Sequence, residues 1–163
     1  MKKWLVVIVL LLSRYINGQS YYVEPIINDF FCRNGISIDS CSYEGLYNEA
    51  YQWVETPYNY AGQSKNGIDC SGLVKKLYTK VYNLQLQGGS RNIYDQVIPI
   101  KNREDLIEGD LVFFKIRKNQ ISHVGLYLKD GNFIHASVRS GVIISNLSED
   151  YYNKYYFSGG RFP

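Results

Sequence analysis

The chain has 163 residues, enough for one domain with a single hydrophobic core. Its formal net charge of +3 comes from 18 basic and 15 acidic residues. Lys2, Lys3 and Arg14 lie in the first 18 residues and no acidic residue does, so the remainder of the chain is electrically balanced. Without an excess of positive charge, nothing in the composition indicates nucleic-acid binding, which requires a concentrated basic face.

Residues 1–18 predict a secretory signal peptide. Lys2 and Lys3 precede an apolar run over residues 4–12, and Gly18 follows as a candidate cleavage residue. Because so short an apolar run cannot cross a bilayer, we expect an exported protein, periplasmic or secreted, with no stable membrane anchor after cleavage. The alternative is an uncleaved amino-terminal anchor.

Residues 19–43 are predicted to form an irregular amino-terminal extension. Cys32 and Cys41 lie on either side of Asn34 and Gly35, so a disulfide that closes a small loop between them is feasible. The alternative is two unpaired thiols. In both cases Cys70, the third cysteine, is left over, and an unpaired thiol in an exported protein is a candidate functional residue.

Two helices are predicted before the middle of the chain. Apolar residues share one stripe over residues 44–54, Pro57 ends that helix, and a loop follows over residues 58–69. The second helix covers residues 71–83, with apolar side chains in a narrow arc and lysines opposite. Cys70 is therefore expected at a helix amino terminus, facing inward, with Asp69 as the natural cap.

The second half of the chain predicts strands. An apolar strand is expected over residues 111–116, a hairpin over residues 122–128 and 132–138, and a short strand over residues 142–145. Helices followed by an antiparallel sheet indicate the α+β fold class.

The register of the predicted hairpin decides whether His123 and His135, which are the only two histidines, can cooperate. A three-residue loop ending at Gly131 pairs position 128 with 132, and so places both histidines on one face, roughly 7 Å apart at Cα. A two-residue loop would place them on opposite faces. We favour the longer loop because it gathers the apolar side chains on the other face: Val124, Leu126, Ile134, Ala136 and Val138. Gly125, opposite His135, is then expected to leave open space beside the ring.

Cys70, His123 and His135 together suit acyl transfer. A helix amino terminus favours a thiolate at Cys70, and a neighbouring imidazole can take the thiol proton. The base must be held in one tautomer, so His123 is the expected base and His135 the residue that orients it. A metal site built from the same three side chains is the alternative, although the chain has no closely spaced ligand pair.

Five sequence elements resemble the NlpC (p-sixty) family of cell-wall peptidases. They occur in order as Tyr-Asn-Tyr-Ala-Gly (58–62), Gly-Ile-Asp-Cys-Ser-Gly-Leu-Val (67–74), Gly-Asp-Leu-Val-Phe-Phe (109–114), His-Val-Gly-Leu-Tyr-Leu (123–128) and His-Ala (135–136). The set as a whole is specific, although each element alone would be weak. The resemblance covers residues 44–163 and implies a peptidase domain there with a papain-like fold.

The resemblance also implies a function. Members of this family hydrolyse peptidoglycan stem peptides, typically at the γ-D-glutamyl-diamino acid bond, and need no metal or other cofactor. It implies that Cys70 is the nucleophile, His123 the base and His135 the third member of the triad, and we expect a monomer. The alternatives are an N-acetylmuramoyl-L-alanine amidase with the same nucleophile and a non-catalytic wall-binding relative.

The same resemblance implies that Tyr58, Asp69 and Ser71 contact the substrate. Structural roles compete with this expectation: helix capping for Asp69 and core packing for Tyr58. Two departures from the family pattern stand near the site. Ala61 replaces a usual glycine, and residues 86–90 replace a usual Leu-Pro-Arg in a loop expected to border the substrate cleft.

Overall fold

The computed structural model describes residues 23–163. The predicted signal peptide therefore lies outside the described residues. Among residues 23–163, no helix is both long enough and apolar enough to span a bilayer. The helices are α1 (Pro25–Arg33), α2 (Glu44–Trp53), α3 (Cys70–Tyr82), α4 (Ser90–Tyr94) and α5 (Asp150–Tyr155). The strands are β1 (Gln63–Ser64), β2 (Gly67–Ile68), β3 (Ile98–Ile100), β4 (Leu111–Phe114), β5 (His123–Tyr127), β6 (Asn132–Ser137), β7 (Gly141–Asn146) and β8 (Tyr156–Arg161).

A six-stranded antiparallel sheet forms the centre of the domain. Its strand order is β3-β8-β4-β5-β6-β7, and β1 and β2 form a separate small hairpin. Helices followed by an antiparallel sheet confirm the predicted α+β class.

Alternation along the strands divides the buried side chains between two clusters. The larger cluster contains residues of α1, α2 and α3 together with Val124, Leu126, Ile134 and Ala136. The smaller one gathers aromatic side chains on the other face of the sheet, including Phe114, Tyr127 and Phe133, beneath Tyr152 of α5. Both faces of β5 and β6 are therefore covered, and this is why all five residues of β5 are buried.

Helix α3 carries the predicted inward stripe, since Leu73, Val74 and Leu77 are fully buried. It begins at Cys70, and the side chain of Asp69 accepts a hydrogen bond from the Gly72 N–H at 2.6 Å. The predicted cap is therefore confirmed. The helix packs against α2, β5 and β6, so its amino terminus lies beside the hairpin that carries both histidines.

The hairpin has the predicted register. Leu126 pairs with Ile134 and Tyr127 with Phe133, which is the pairing that a three-residue loop imposes. Gly131 (φ 80°) lies in the left-handed region as predicted, and Asp130 (φ 55°) lies there as well, which was not predicted. The prediction that Val138 lies on the apolar face is wrong, because this residue follows the end of β6 and is 60% exposed.

The amino-terminal extension requires two corrections. Residues 25–33, predicted to be irregular, form α1, which begins at Pro25 and buries Ile27 and Phe31. The ring of Phe31 lies 4.9 Å from that of Tyr47, and this contact anchors the segment to α2. The predicted disulfide is absent, because Cys32 and Cys41 are both exposed free thiols. Cys41 lies in a turn closed by the Asp39 carboxylate, which accepts a hydrogen bond from the Cys41 N–H at 2.9 Å.

Candidate active site

All six residues singled out as catalytic or substrate-binding line one cavity of about 960 Å³. Cys70 and Ser71 come from the start of α3, Asp69 precedes it, and the histidines come from adjacent strands of the sheet. Gly88, Gly89 and Ser90 form part of the same wall. The loop over residues 86–90 therefore borders the cleft, as predicted.

The two histidines are joined directly. Nε2 of His123 lies 2.9 Å from Nδ1 of His135, and the two rings are nearly perpendicular at 87°. One of these nitrogens must carry the shared proton, because two lone pairs cannot bond to each other. The contact occupies Nε2 of His123 and leaves Nδ1 as the nitrogen that can serve the thiol.

The far side of His135 is held by two hydroxyl groups that the sequence analysis did not identify. Nε2 of His135 lies 3.3 Å from Oγ of Ser145 and 3.1 Å from Oη of Tyr152. Ser145 could have been predicted, because residues 142–145 were expected to form a strand. That strand, β7, pairs with β6, which carries His135. No signal in the sequence places Tyr152 of α5 over that ring.

The sulfur of Cys70 lies among backbone N–H groups. Those of Val124, Ser71 and Cys70 itself stabilise the thiolate, as the start of a helix should. Burial has the larger effect and raises the pKa of Cys70 to about 11. Since Val124 is the next residue after His123, the sulfur lies against the strand that carries the candidate base.

Burial also keeps the imidazoles neutral. It lowers the pKa of His123 to about 4, against a weaker opposing effect of Asp69. The pKa of His135 falls well below 6.5 through burial and through its neighbour His123. Burial therefore favours a neutral thiol beside neutral imidazoles at neutral pH. A thiolate–imidazolium pair depends on the N–H groups around the sulfur and on the attraction between the two charges.

Both carboxylate oxygens of Asp69 accept hydrogen bonds from neighbouring residues. Oδ1 accepts hydrogen bonds from the Gly72 N–H at 2.6 Å and from the Ser71 hydroxyl at 2.8 Å. Oδ2 accepts a hydrogen bond from the Ala61 N–H at 3.0 Å. Ala61 has a φ of 57°, a left-handed conformation that glycine adopts at lower cost than alanine. Capping and loop anchoring thus account for every bond of Asp69 within the described residues.

Tyr58 is half-buried, packs against the main core cluster and lines the cavity. Its backbone bridges to Ile68, which places the ring beside the start of α3. Burial, together with the nearby Cys70 and Asp69, raises the pKa of its phenol. Core packing and contact with a ligand in the cavity are therefore compatible roles for this side chain.

Within residues 23–163, no group of three or more His, Cys, Asp or Glu side chains is arranged to hold a metal ion. The direct contact between the two imidazoles also occupies nitrogens that a shared metal would need. The two imidazoles are therefore arranged to bond each other rather than to share a metal ion.

Comparison with known proteins identifies similar sequences and folds. Residues 55–161 match the NlpC/P60 family. A probable endopeptidase of Haemophilus influenzae is 37% identical over 119 residues, covering 71% of this chain and 72% of that protein. Murein DD-endopeptidase MepS/Murein LD-carboxypeptidase of Escherichia coli K12 is 40% identical over 118 residues, covering 71% of this chain and 61% of that one.

Solved structures agree with these sequence matches. An NlpC/P60 family protein from Bacillus cereus superposes with a TM-score of 0.67 at 29% identity, covering 77% of this chain and 42% of that one. The NlpC/p60 domain of the peptidoglycan hydrolase SagA superposes with a TM-score of 0.63 at 23% identity, which shows a shared fold. The predicted papain-like fold is thereby confirmed.

Proposed function

Because this chain belongs to the NlpC/P60 family, we propose that it is an exported cysteine peptidase that hydrolyses the peptide stems of peptidoglycan. The observation that carries the proposal is the 2.9 Å contact between His123 and His135 in a cavity that also contains the Cys70 thiol. Names of relatives at 36–40% identity, such as murein DD-endopeptidase, support the substrate class. Export rests on the pattern of residues 1–18 and on the location of such a substrate.

The first chemical step is acylation of Cys70. Nδ1 of His123 takes the thiol proton as the sulfur attacks the scissile carbonyl carbon, so that an S–C bond forms while the carbonyl π electrons move to oxygen. Backbone N–H groups at the start of α3 are placed to stabilise that oxyanion. The C–N bond then breaks, and His123 donates its proton to the departing amine.

The second step releases the acyl group. His123, neutral again, removes a proton from a water molecule that attacks the thioester carbon. The C–S bond breaks and the Cys70 thiol recovers its proton from His123. Burial leaves the resting imidazole of His123 unprotonated at neutral pH, so a nitrogen lone pair is free, but the lowered pKa also makes it a weaker base.

The bond that we propose is the one between D-glutamate and the diamino acid, which is typical of the family. A second candidate is the D-alanyl cross-link between stems, since relatives at 36–40% identity are named murein DD-endopeptidases. We further propose that Tyr58 lines the substrate site and that Asp69 and Ser71 help to hold the substrate's amine end, because all three residues line the cavity that contains Cys70.

Mass analysis of muropeptides released from purified peptidoglycan tests the proposal. The mature protein should release peptides whose masses identify the cleaved bond, and an amidase would instead free stems that begin with L-Ala. Cys70→Ala should abolish release. The double variant Cys32→Ser with Cys41→Ser is the matched control: both thiols are exposed and lie in the amino-terminal extension, so activity should persist. Cleavage by Cys70→Ala would refute the mechanism.

A further inference from the structure

The hydroxyl groups of Tyr152 and Ser145 converge on a single atom, Nε2 of His135. Oη of Tyr152 is 3.1 Å away and Oγ of Ser145 is 3.3 Å away. A ring N–H can be shared between two acceptors, whereas the single lone pair of a neutral ring nitrogen takes one donor well. The geometry permits a proton on Nε2 of His135 with both oxygens accepting, and the Ser145 hydroxyl can then donate to Oη of Tyr152.

This arrangement is largely buried at the wall of the cavity. His135 is 1% exposed, Ser145 6% and Tyr152 9%. The Tyr152 ring packs at 5.1 Å from His135 and at 5.0 Å from Phe133, so its hydroxyl is held in place by aromatic contacts. In so enclosed a site, a lost acceptor cannot simply be replaced by bulk water, and an unpaired N–H carries its full desolvation cost.

The tautomer of His135 determines that of His123. With its proton on Nε2, His135 presents a lone pair at Nδ1, which accepts a hydrogen bond from Nε2–H of His123 at 2.9 Å. Nδ1 of His123 is then unprotonated and free to accept the thiol proton. If His135 carried its proton on Nδ1 instead, His123 would have to protonate its own Nδ1 and would no longer be a base toward Cys70.

We propose that Tyr152, together with Ser145, is a positioning residue that selects the Nε2-protonated tautomer of His135 and thereby keeps Nδ1 of His123 available as the base. This assignment rests on the proposed function for its catalytic consequence, but the tautomer itself is a property of the resting protein. It extends the three-residue site to a hydrogen-bonded cluster of four side chains beside the Cys70 thiol: His123, His135, Ser145 and Tyr152. Tyr152 lies on α5, near the carboxyl terminus.

The direct test is nitrogen-15 NMR of the imidazole rings in substrate-free protein. The chain has only two histidines, so their ring signals can be assigned from one histidine variant. Both rings should be protonated at Nε2 in the wild type. A proton on Nδ1 of His135 in the wild type overturns the proposal, whatever the protein's activity. Loss of peptidoglycan cleavage with the expected tautomers would instead count against the proposed function alone.

A second test compares the steady-state kinetics of two variants whose side chains at position 145 have the same shape. In the Tyr152→Phe background, Ser145→Thr keeps a hydroxyl and Ser145→Val replaces it with a methyl group of the same shape. The Val variant should lose about ten- to a hundred-fold in kcat relative to the Thr variant, with KM unchanged, and should shift His135 toward the Nδ1-protonated form. Equal kcat and equal tautomers in the two variants overturn the proposal.

Tyr156→Phe is the matched control for loss of a phenol. The Tyr156 hydroxyl is buried and has no hydrogen-bond partner within the described part of the chain, so its removal should leave kcat and both tautomers unchanged. If the Val variant does not fold, the wild-type tautomers decide the question, because a proton on Nδ1 of His135 overturns the proposal. Tyr152→Phe should retain the Nε2 proton because Ser145 still accepts it.

Discussion

Gly125 faces His135 across the β5–β6 hairpin with no room for a side chain. A Cβ at Gly125 would lie 3.3 Å from Cβ of His135 and 2.6 Å from Cδ2 of Phe133. Open space was predicted beside the imidazole at this position, and that prediction was wrong, because Phe133 fills the space. Close packing of an aromatic ring therefore helps to fix the strand that carries His135.

Gly125→Ala should consequently weaken both the fold and the site. Overpacking of this kind typically costs about 1–3 kcal/mol, and relief requires β6 to move, which would lengthen the contact between the two histidines. We expect a lower free energy of unfolding in urea and a reduced kcat toward peptidoglycan peptides.

Gly45→Ala is the matched control for Gly125→Ala. A Cβ at Gly45, within α2, would meet only the ring of Tyr43 at 3.7–3.8 Å, which is ordinary contact. Alanine should raise the unfolding free energy there by about 0.5–1 kcal/mol without changing kcat. Equal behaviour of the two variants would show that the Gly125 contact is unimportant.

Local sequence patterns were sufficient to predict the positions of the site residues that lie on regular helices and strands. The helical stripe and Asp69 placed Cys70 at a helix start, and turn chemistry set the register that brings His123 and His135 together. The pattern of Ile27 and Phe31 after Pro25 also signals α1, but this segment was predicted to be irregular.

Other features depend on tertiary packing and could not be read from local patterns. Tyr152 reaches His135 only because α5 folds over the outer face of the sheet. The neutral state of the thiol and the imidazoles follows from burial, which periodicity does not quantify. The exposed positions of Cys32 and Cys41 are likewise set by how α1 and its following turn pack.

His135→Ala should reduce kcat far more than it affects binding. Without the imidazole, Nε2 of His123 loses its 2.9 Å partner, and the base is no longer held in one tautomer and orientation. Loss of an orienting residue in comparable triads suggests a fall of about 10²–10⁴-fold. Steady-state kinetics on a defined muropeptide measures kcat and KM separately.

His135→Asn is the control for that change, since an amide oxygen on the same strand can still accept a hydrogen bond from His123. We expect it to retain more activity than His135→Ala. Unfolding curves of both variants separate a lost orientation from a lost fold. An alanine variant with wild-type kcat would remove His135 from the catalytic set.

Two substitutions at Asp69 separate its capping role from contact with the substrate. Asp69→Ala removes the acceptor for the Gly72 N–H and should cost about 1 kcal/mol of stability. Asp69→Asn keeps an oxygen acceptor, so its stability should change by only a few tenths of a kcal/mol. If the charge of Asp69 attracts the substrate's amine, Asp69→Asn should raise KM.

Acetylation of the substrate's amine end provides the control for Asp69. The wild type should show a higher KM for the acetylated peptide than for the free amine, whereas Asp69→Asn should treat the two peptides alike. Identical discrimination by both proteins would leave Asp69 with capping and loop anchoring only.

Acid should destabilise the fold through His123. Burial lowers its pKa to about 4 in the native state, whereas an unfolded histidine titrates near 6.5. Between these values the unfolded chain binds a proton that the native state does not. The stability contribution is therefore complete above pH 6.5 and is lost as pH falls toward 4. At pH 5 the loss from this group amounts to about 2 kcal/mol.

Urea unfolding at pH 7 and pH 5 measures this loss, with His123→Gln as the reference, because glutamine does not titrate. Carboxylates remain in both proteins, so the difference between their pH dependences reports His123 together with its coupling to His135. The wild type should lose more stability than the variant over this interval. Parallel losses would mean that His123 binds its proton as readily in the folded protein as in the unfolded chain, and the neutral resting site would then be wrong. A neutral imidazole is the form that can accept the proton of Cys70, so the same measurement tests the starting state of the proposed acylation step.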